Sequence, residues 1–347
     1  MKHLKNTHPD YTSASAADIV GRFNDVDMTL SYAAGSTVLH FSAPEIGIED
    51  KTFAGATRKQ SQDRFADWLK RDGIIGKIMK YQSEHSAASP ITGAGGLLPS
   101  LAENDFDTGT GGTSNIRNGT DIATQAGNTV GIGAGIGSYT VGGSEERVET
   151  LTLPLSYARK TGNDPREKLI VSVPVSIYRI GSAKGYHAGL GLAYRIPVTE
   201  YWMLTPGARY AVTASVVSGS LTSNYTVPLG SLELNIGNMI GYYGTGKFKA
   251  GDYSFNPHIR QTIVRNGLML SQPVTVKNKK LAVEYSVIDT RYLGGRKPFM
   301  NNMQEYGVTV GSYKDAGGGI LSSMRGGVTY KNAKGAHGFA ANFGYWF

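Results

Sequence analysis

The chain has no cysteine among its 347 residues. A disulfide framework and a thiolate metal site are therefore excluded, and no metal or cofactor is expected. No run of 18 apolar residues occurs, which rules out a transmembrane helix. Charge is sparse, at 18% of residues, and the net +8 is dispersed. Without a Lys/Arg run interleaved with aromatics, nothing points to nucleic acid. The start, Met1 to His8, lacks the apolar centre of a signal peptide, so an export signal is expected to have been removed. HExxH, Walker and GxSxG patterns are all missing. His258 lies in a polar cluster, but the residue two further on is Arg260, not the Ser that a strand-borne hydrolytic pair wants. His187 and His337 read as interfacial or turn residues. An enzyme is not expected.

What is present is alternation. Composition changes near residue 126, and from there apolar residues recur at period two. Leu151, Leu153, Leu155 and Tyr157 oppose Thr150, Thr152 and Ser156; Leu169, Val171, Val173, Val175 and Ile177 oppose Ser172 and Ser176. Further segments run over 129–141, 188–196, 202–216, 220–229, 232–243, 256–271, 280–291, 304–313, 320–330 and 337–347. That makes twelve, with ten or fourteen still open. The register is poor in 256–271, where both faces carry apolar residues, and the switch at 229–232 reads as a turn or a bulge. Turn signals stand at 142–143, 161–165, 182–185, 294–295, 317–319 and 332–335.

A soluble sandwich or lipocalin-like barrel also alternates. Three features favour a membrane barrel. Several segments exceed the usual five or six residues, and the non-apolar face is small and polar rather than heavily charged. Tyr and Trp also gather near strand ends, with 17 of 20 Tyr from residue 128 onward. The last eleven residues place Phe339, Ala341, Phe343, Tyr345 and Phe347 on one face. They resemble the assembly signal of bacterial outer-membrane β-barrel proteins, which end in Phe with aromatic or apolar residues at alternate positions. The resemblance implies outer-membrane lipid and the barrel-assembly machinery as partners.

The expected fold is an all-β transmembrane barrel of about 12 antiparallel strands over 128–347, behind a smaller mixed or helical segment over 1–106 and a Gly/Thr/Asn-rich linker over 107–127. Thr57 to Gln60 reads as a capping box opening a helix whose Phe65, Trp68, Leu69 and Asp72 share a face. Gly73 interrupts it, and Ile74, Ile75, Ile78 and Met79 continue to about His85, with Pro90 and Gly93 to Gly96 beyond. Met28, Leu30, Tyr32 and residues 38–41 read as short strands around Gly35. Such a segment docks at a mouth, is displayed outside the cell, or threads the lumen. Gly131, Gly133, Gly135 and Gly137 leave one face of the first barrel strand bare; either another backbone comes close, or the wall is simply thin near the seam.

The lumen candidates are Arg195, Arg209, Arg260, Arg325 and Glu284. The lipid side penalises such groups by about 2–4 kcal/mol at mid-depth. They would favour anions in an open pore, or pair with Asp63, Asp67 and Asp72 of a plug helix. A barrel of this size behind a pore-filling segment is similar to the β-domain of autotransporters, which implies a pore or translocator with an exported passenger or small anionic solute as cargo. The alternatives are a surface-displayed adhesin or structural anchor and, third, an outer-membrane hydrolase.

Overall fold

The computed structural model describes residues 8, 10–23, 25–71, 73–111, 128–142, 147–181, 183–212, 215–250, 253–312 and 324–346. The chain divides into two units, one comprising residues up to Ser86 with Lys247–His258, the other Ala87–Gly246 with Ile259–Phe347.

In the first unit four antiparallel strands lie in sequence order: β1 (Ala17–Phe23), β2 (Val26–Tyr32), β3 (Leu39–Ala43) and β4 (Ile48–Phe53). Two helices follow, α1 (Arg58–Arg71) and α2 (Ile74–His85). The Gln60 amide donates to Thr57 Oγ1, and Gln60 Oε1 accepts from Ala56 N–H, one residue earlier than a strict capping box requires. Phe65, Trp68 and Leu69 pack on a core with Phe41 and Phe53, the face read from the sequence; Asp72 lies outside the described residues. Gly73 separates the helices at φ +68°, a conformation only glycine adopts freely. Arg58, buried beside this core, donates to Ser36 O at 2.9 Å and Ala33 O at 3.1 Å, and its guanidinium lies 4.6 Å from the Tyr32 ring centre.

The second unit opens with α3 (Leu97–Thr110). Twelve strands follow: β5 (Thr129–Val141), β6 (Arg147–Lys160), β7 (Lys168–Ile180), β8 (Ala183–Pro197), β9 (Trp202–Ala211), β10 (Val216–Leu229), β11 (Leu232–Thr245), β14 (Arg260–Val276), β15 (Lys279–Leu293), β16 (Asn302–Ser312), β17 (Met324–Ala333) and β18 (Ala336–Trp346). Each pairs antiparallel with its predecessor, and β18 closes on β5 from Ala336↔Val141 to Trp346↔Gly131. Between β11 and β14 the chain leaves the ring to form the hairpin β12 (Phe248–Ala250) and β13 (Tyr253–Phe255), part of the first unit.

The ring's outer face is apolar on every strand, with Ile136, Leu153, Val175, Leu192, Val287 and Phe339 among the exposed side chains. Its inner face carries Ser, Thr, Gly and buried charges. Closure leaves no unpaired edge, and a continuous apolar exterior on that ring is the architecture of an outer-membrane β-barrel.

The segments drawn from sequence match this ring with local shifts. The stretch 202–216 stops at Ala211, and Val216 already belongs to the next strand; Ser215, at φ +46°, turns the chain. The 229–232 switch is a two-residue turn with Gly230 at φ +66°. The strand read from 256 begins at Arg260, because residues 256–258 belong to the other unit.

Candidate functional site

The site is the lumen together with α3, a helix that runs across the expected boundary at residue 107 between the N-terminal segment and the linker. Pro99 falls in its first turn, where the backbone N–H lacks an intrahelical partner anyway. Gly111, at φ +86°, ends it. Ahead of it, Ala87, Ala88 and Ala94 pack with Tyr139, Val148 and Tyr178 at the mouth formed by the C-terminal end of β5. Tyr178 there donates to Ala88 O at 2.8 Å. From that mouth α3 runs inward, and Gly109 rests on Thr222, near the middle of β10.

Glu103, Asp105 and Asp107 stand at every second position of α3. At 3.6 residues per turn, successive members point about 200° apart, so the acids radiate around the axis instead of sharing one face. Asp105 receives Arg209 at 2.7 Å, Arg209 Nε at 2.8 Å and the Tyr243 hydroxyl at 2.8 Å. Glu103 meets Lys331 of β17 at 2.7 Å, and Lys331 is shared with Glu305 at 3.4 Å. Glu305 also binds Arg265 at 2.8 Å, and the Arg265 guanidinium lies 5.2 Å from the Phe106 ring centre. Arg195 donates to Thr108 O at 2.7 Å. α3 is thus gripped through polar contacts from β8, β9, β11 and β17. Removing one member of such a buried pair typically costs about 3–5 kcal/mol, because the other charge is left stranded.

Between these contacts the walls make room for Phe106. An ideal Cβ placed on Gly237 or on Gly267 would come within 2.9 Å of its ring. These are the glycines that admit the helix. Gly131, Gly133, Gly135 and Gly137 also face inward, but the side chains of Pro154, Thr152 and Thr150 on β6 lean over the last three. Between that stripe and α3 lies a cavity of about 140 Å³, bordered by Ser100, Glu103 and Asn104.

Among the charges named from sequence, Arg195, Arg209, Glu284 and Arg325 are buried on the inner face, with Arg325 and Glu284 3.5 Å apart. Arg260 is a correction: it begins β14 on the outward parity and is exposed. The inward residues of that strand are Gln261, Ile263, Arg265 and Met269, and Arg265 holds the place assigned to Arg260. Ile263 and Met269 face inward too, so the apolar signal fell on both faces. The proposed partners Asp63 and Asp67 are corrected as well: Asp63 pairs with Lys59 at 2.9 Å on exposed α1, and the acids at the lumen wall belong to α3. Phe339 and Phe343 point outward and are exposed, Tyr345 is half-buried, and Phe347 lies outside the described residues.

Arg265, Glu305 and Lys331 are not among the sequence candidates, and Tyr243, one of the aromatics near strand ends, is buried on the inner face. Their signal was parity: Glu305 alternates with outward Tyr306 and Val308, and Lys331 with outward Val328 and Tyr330. His187 faces inward, buried, across from Ser176, with neither ring nitrogen hydrogen-bonded. His258 is exposed at φ +53°.

No family model and no curated protein matches the chain. Solved structures with similar strand arrangements include the β-domain of the Bordetella autotransporter BrkA, at 14% identity and TM-score 0.46 over 64% of this chain and 100% of that one. Another is the translocator domain of autotransporter NalP from Neisseria meningitidis, at 13% and 0.46 over 72% and 94%. A third is LpxR from Salmonella typhimurium, at 8% and 0.40 over 63% and 100%. The barrel assignment rests on this chain's own strand pairing and apolar exterior.

Proposed function

We propose that the protein is a plugged pore or translocator of a Gram-negative-type outer membrane, with α3 as the plug. The observation that carries this reading is the grip on α3: Asp105 on Arg209 and Tyr243, Glu103 on Lys331. A helix bound from several strands occupies space that water and solutes would otherwise cross. The chain enters by one mouth, where Ala87 and Ala88 pack with Tyr139 and Val141, and β5 begins at the opposite end of the same strand. That path suits a translocator whose N-terminal unit stays attached after passing through.

Conductance in planar bilayers tests the plug. A chain in which residues 97–110 are replaced by a Gly/Ser segment of equal length should conduct several-fold more than the unaltered protein. Equal conductance would overturn the reading.

Display of the first unit as an adhesin or anchor is the second reading, supported by its own aromatic core of Phe41, Phe53, Phe65 and Trp68. Protease added to intact cells should then remove that unit and leave the barrel. Protection of the unit would count against display and against outward translocation together.

A further inference from the structure

The buried inner wall is unbalanced in charge. Among the described residues it carries six basic side chains (Lys168, Arg195, Arg209, Arg265, Arg325, Lys331) against two acidic ones, Glu284 and Glu305, an excess of four positive charges. α3 supplies three carboxylates, Glu103, Asp105 and Asp107, and no basic residue. Charges buried at this depth are costly unless compensated, so a wall left this positive is matched to something anionic.

The contacts of Asp105 show how that match is made. Its carboxylate takes Nε and Nη2 of Arg209 on one side and the Tyr243 hydroxyl on the other, from two different strands. All three donors belong to the wall. An ideal Cβ on Gly191 would lie 2.9 Å from the Arg209 guanidinium, so the bare backbone there is what lets the guanidinium sit in this position. The seat also holds more than Asp105 uses: Arg209 Nη1 and Thr205 Oγ1 are buried with no hydrogen-bond partner, and both residues border a small cavity of about 10 Å³. Thr108 and Ser172 line both this cavity and the larger one beside the glycine stripe, so the two are neighbours.

We infer that the Arg209–Tyr243–Thr205 seat is a binding site for small anions bearing more than one carboxylate, and that α3 occupies it as a built-in competitor, Asp105 standing in for the ligand. This rests on the reading of α3 as a plug. A guanidinium with donors to spare suits a polycarboxylate better than a single carboxylate, and an excess of positive charge along the wall concentrates anions ahead of binding.

Two full-length variants test this in planar bilayers under a KCl gradient, with citrate as the probe. One carries Glu103→Gln with Asp105→Asn; the other has 97–110 replaced by a Gly/Ser segment. A heat-modifiability gel checks that each barrel has folded. Opened channels should reverse on the chloride side, and millimolar citrate should reduce their current. Adding Arg209→Gln should weaken citrate block about tenfold or more. If neither variant conducts above the unaltered protein, the plug reading fails and takes this inference with it. If a variant conducts but prefers potassium, or if citrate block is absent or unchanged by Arg209→Gln, the plug stands and the carboxylate seat is overturned.

Discussion

α1 and α3 are each fourteen residues long and both carry acidic side chains, but their surroundings are opposite. α1 lays Phe65, Trp68 and Leu69 on the core of its own unit and keeps Asp63 in water, paired with Lys59 at 2.9 Å. α3 buries Leu97, Leu98, Leu101, Ala102 and Phe106, and lodges Asp105 where its side chain is 8% exposed. One helix has a wet face and a dry face; the other has wall on several sides. The same residue type therefore does different work, solvation on α1 and attachment on α3.

The sharpest way to break that comparison is to neutralise one acid on each. Asp105→Asn should cost about 3–5 kcal/mol, since Arg209 is left buried without its counter-charge. Asp63→Asn should cost no more than about 0.5 kcal/mol, the scale of an exposed i,i+4 pair. Unfolding of both variants in detergent, followed by gel shift or circular dichroism, reads the difference. Equal losses would mean that α3 is not held by its charges.

Phe106→Ala comes next. The ring fills space cleared by Gly237 and Gly267 and lies under Arg265, so its loss should destabilise by about 3 kcal/mol and raise conductance. The converse change, Gly237→Ala, brings a methyl within 2.9 Å of the ring and 2.7 Å of the Thr110 methyl, and should cost about 1–3 kcal/mol. Combining the two tests the shared space: once the ring is gone, the added methyl should cost less than it does alone, with the approach to Thr110 still remaining. Additive losses would show that Gly237 matters for some other reason.

α1 was legible because its neighbours lie on one side. Thr57, Gln60, Phe65, Trp68 and Leu69 spell a cap and a stripe, and the structure uses nearly all of them as written. α3 gives no stripe, because apolar, small and acidic residues each meet a different part of the wall. Gly109 and Thr110 looked like linker for the same reason: glycine there meets Thr222, and the smallness is packing. In the barrel, parity showed the lipid face from Leu151 to Phe343 with little loss. It fails at β14, where Ile263 and Met269 are apolar and inward, so that parity points to Arg260 while Arg265 is the arginine that faces the lumen. Lumen pairings such as Lys331 with Glu103, far apart in the chain, are set by which strands the closed ring brings to face α3; periodicity alone cannot express that.

The smallest effect isolates environment from geometry. Arg166 and Asp164, in the loop between β6 and β7, meet at 2.6 Å, close to the 2.7 Å of Arg209 and Asp105. The loop pair is 19% and 31% exposed, against 2% and 8% in the lumen. Hydrogen bonds from the Arg166 side chain hold the Asp164 carboxyl below the usual carboxylate range, against a smaller opposing effect of burial. A depressed folded-state pKa means that the stabilisation is fully present above the unfolded value of about 3.9 and is lost as pH falls through the folded value. Solvent screening limits it to less than about 1 kcal/mol. Asp164→Asn should therefore lower stability slightly at pH 7, and by less at pH 2. Should that variant lose as much as Asp105→Asn at neutral pH, distance rather than burial would govern both pairs, and the contrast between loop and lumen would fail.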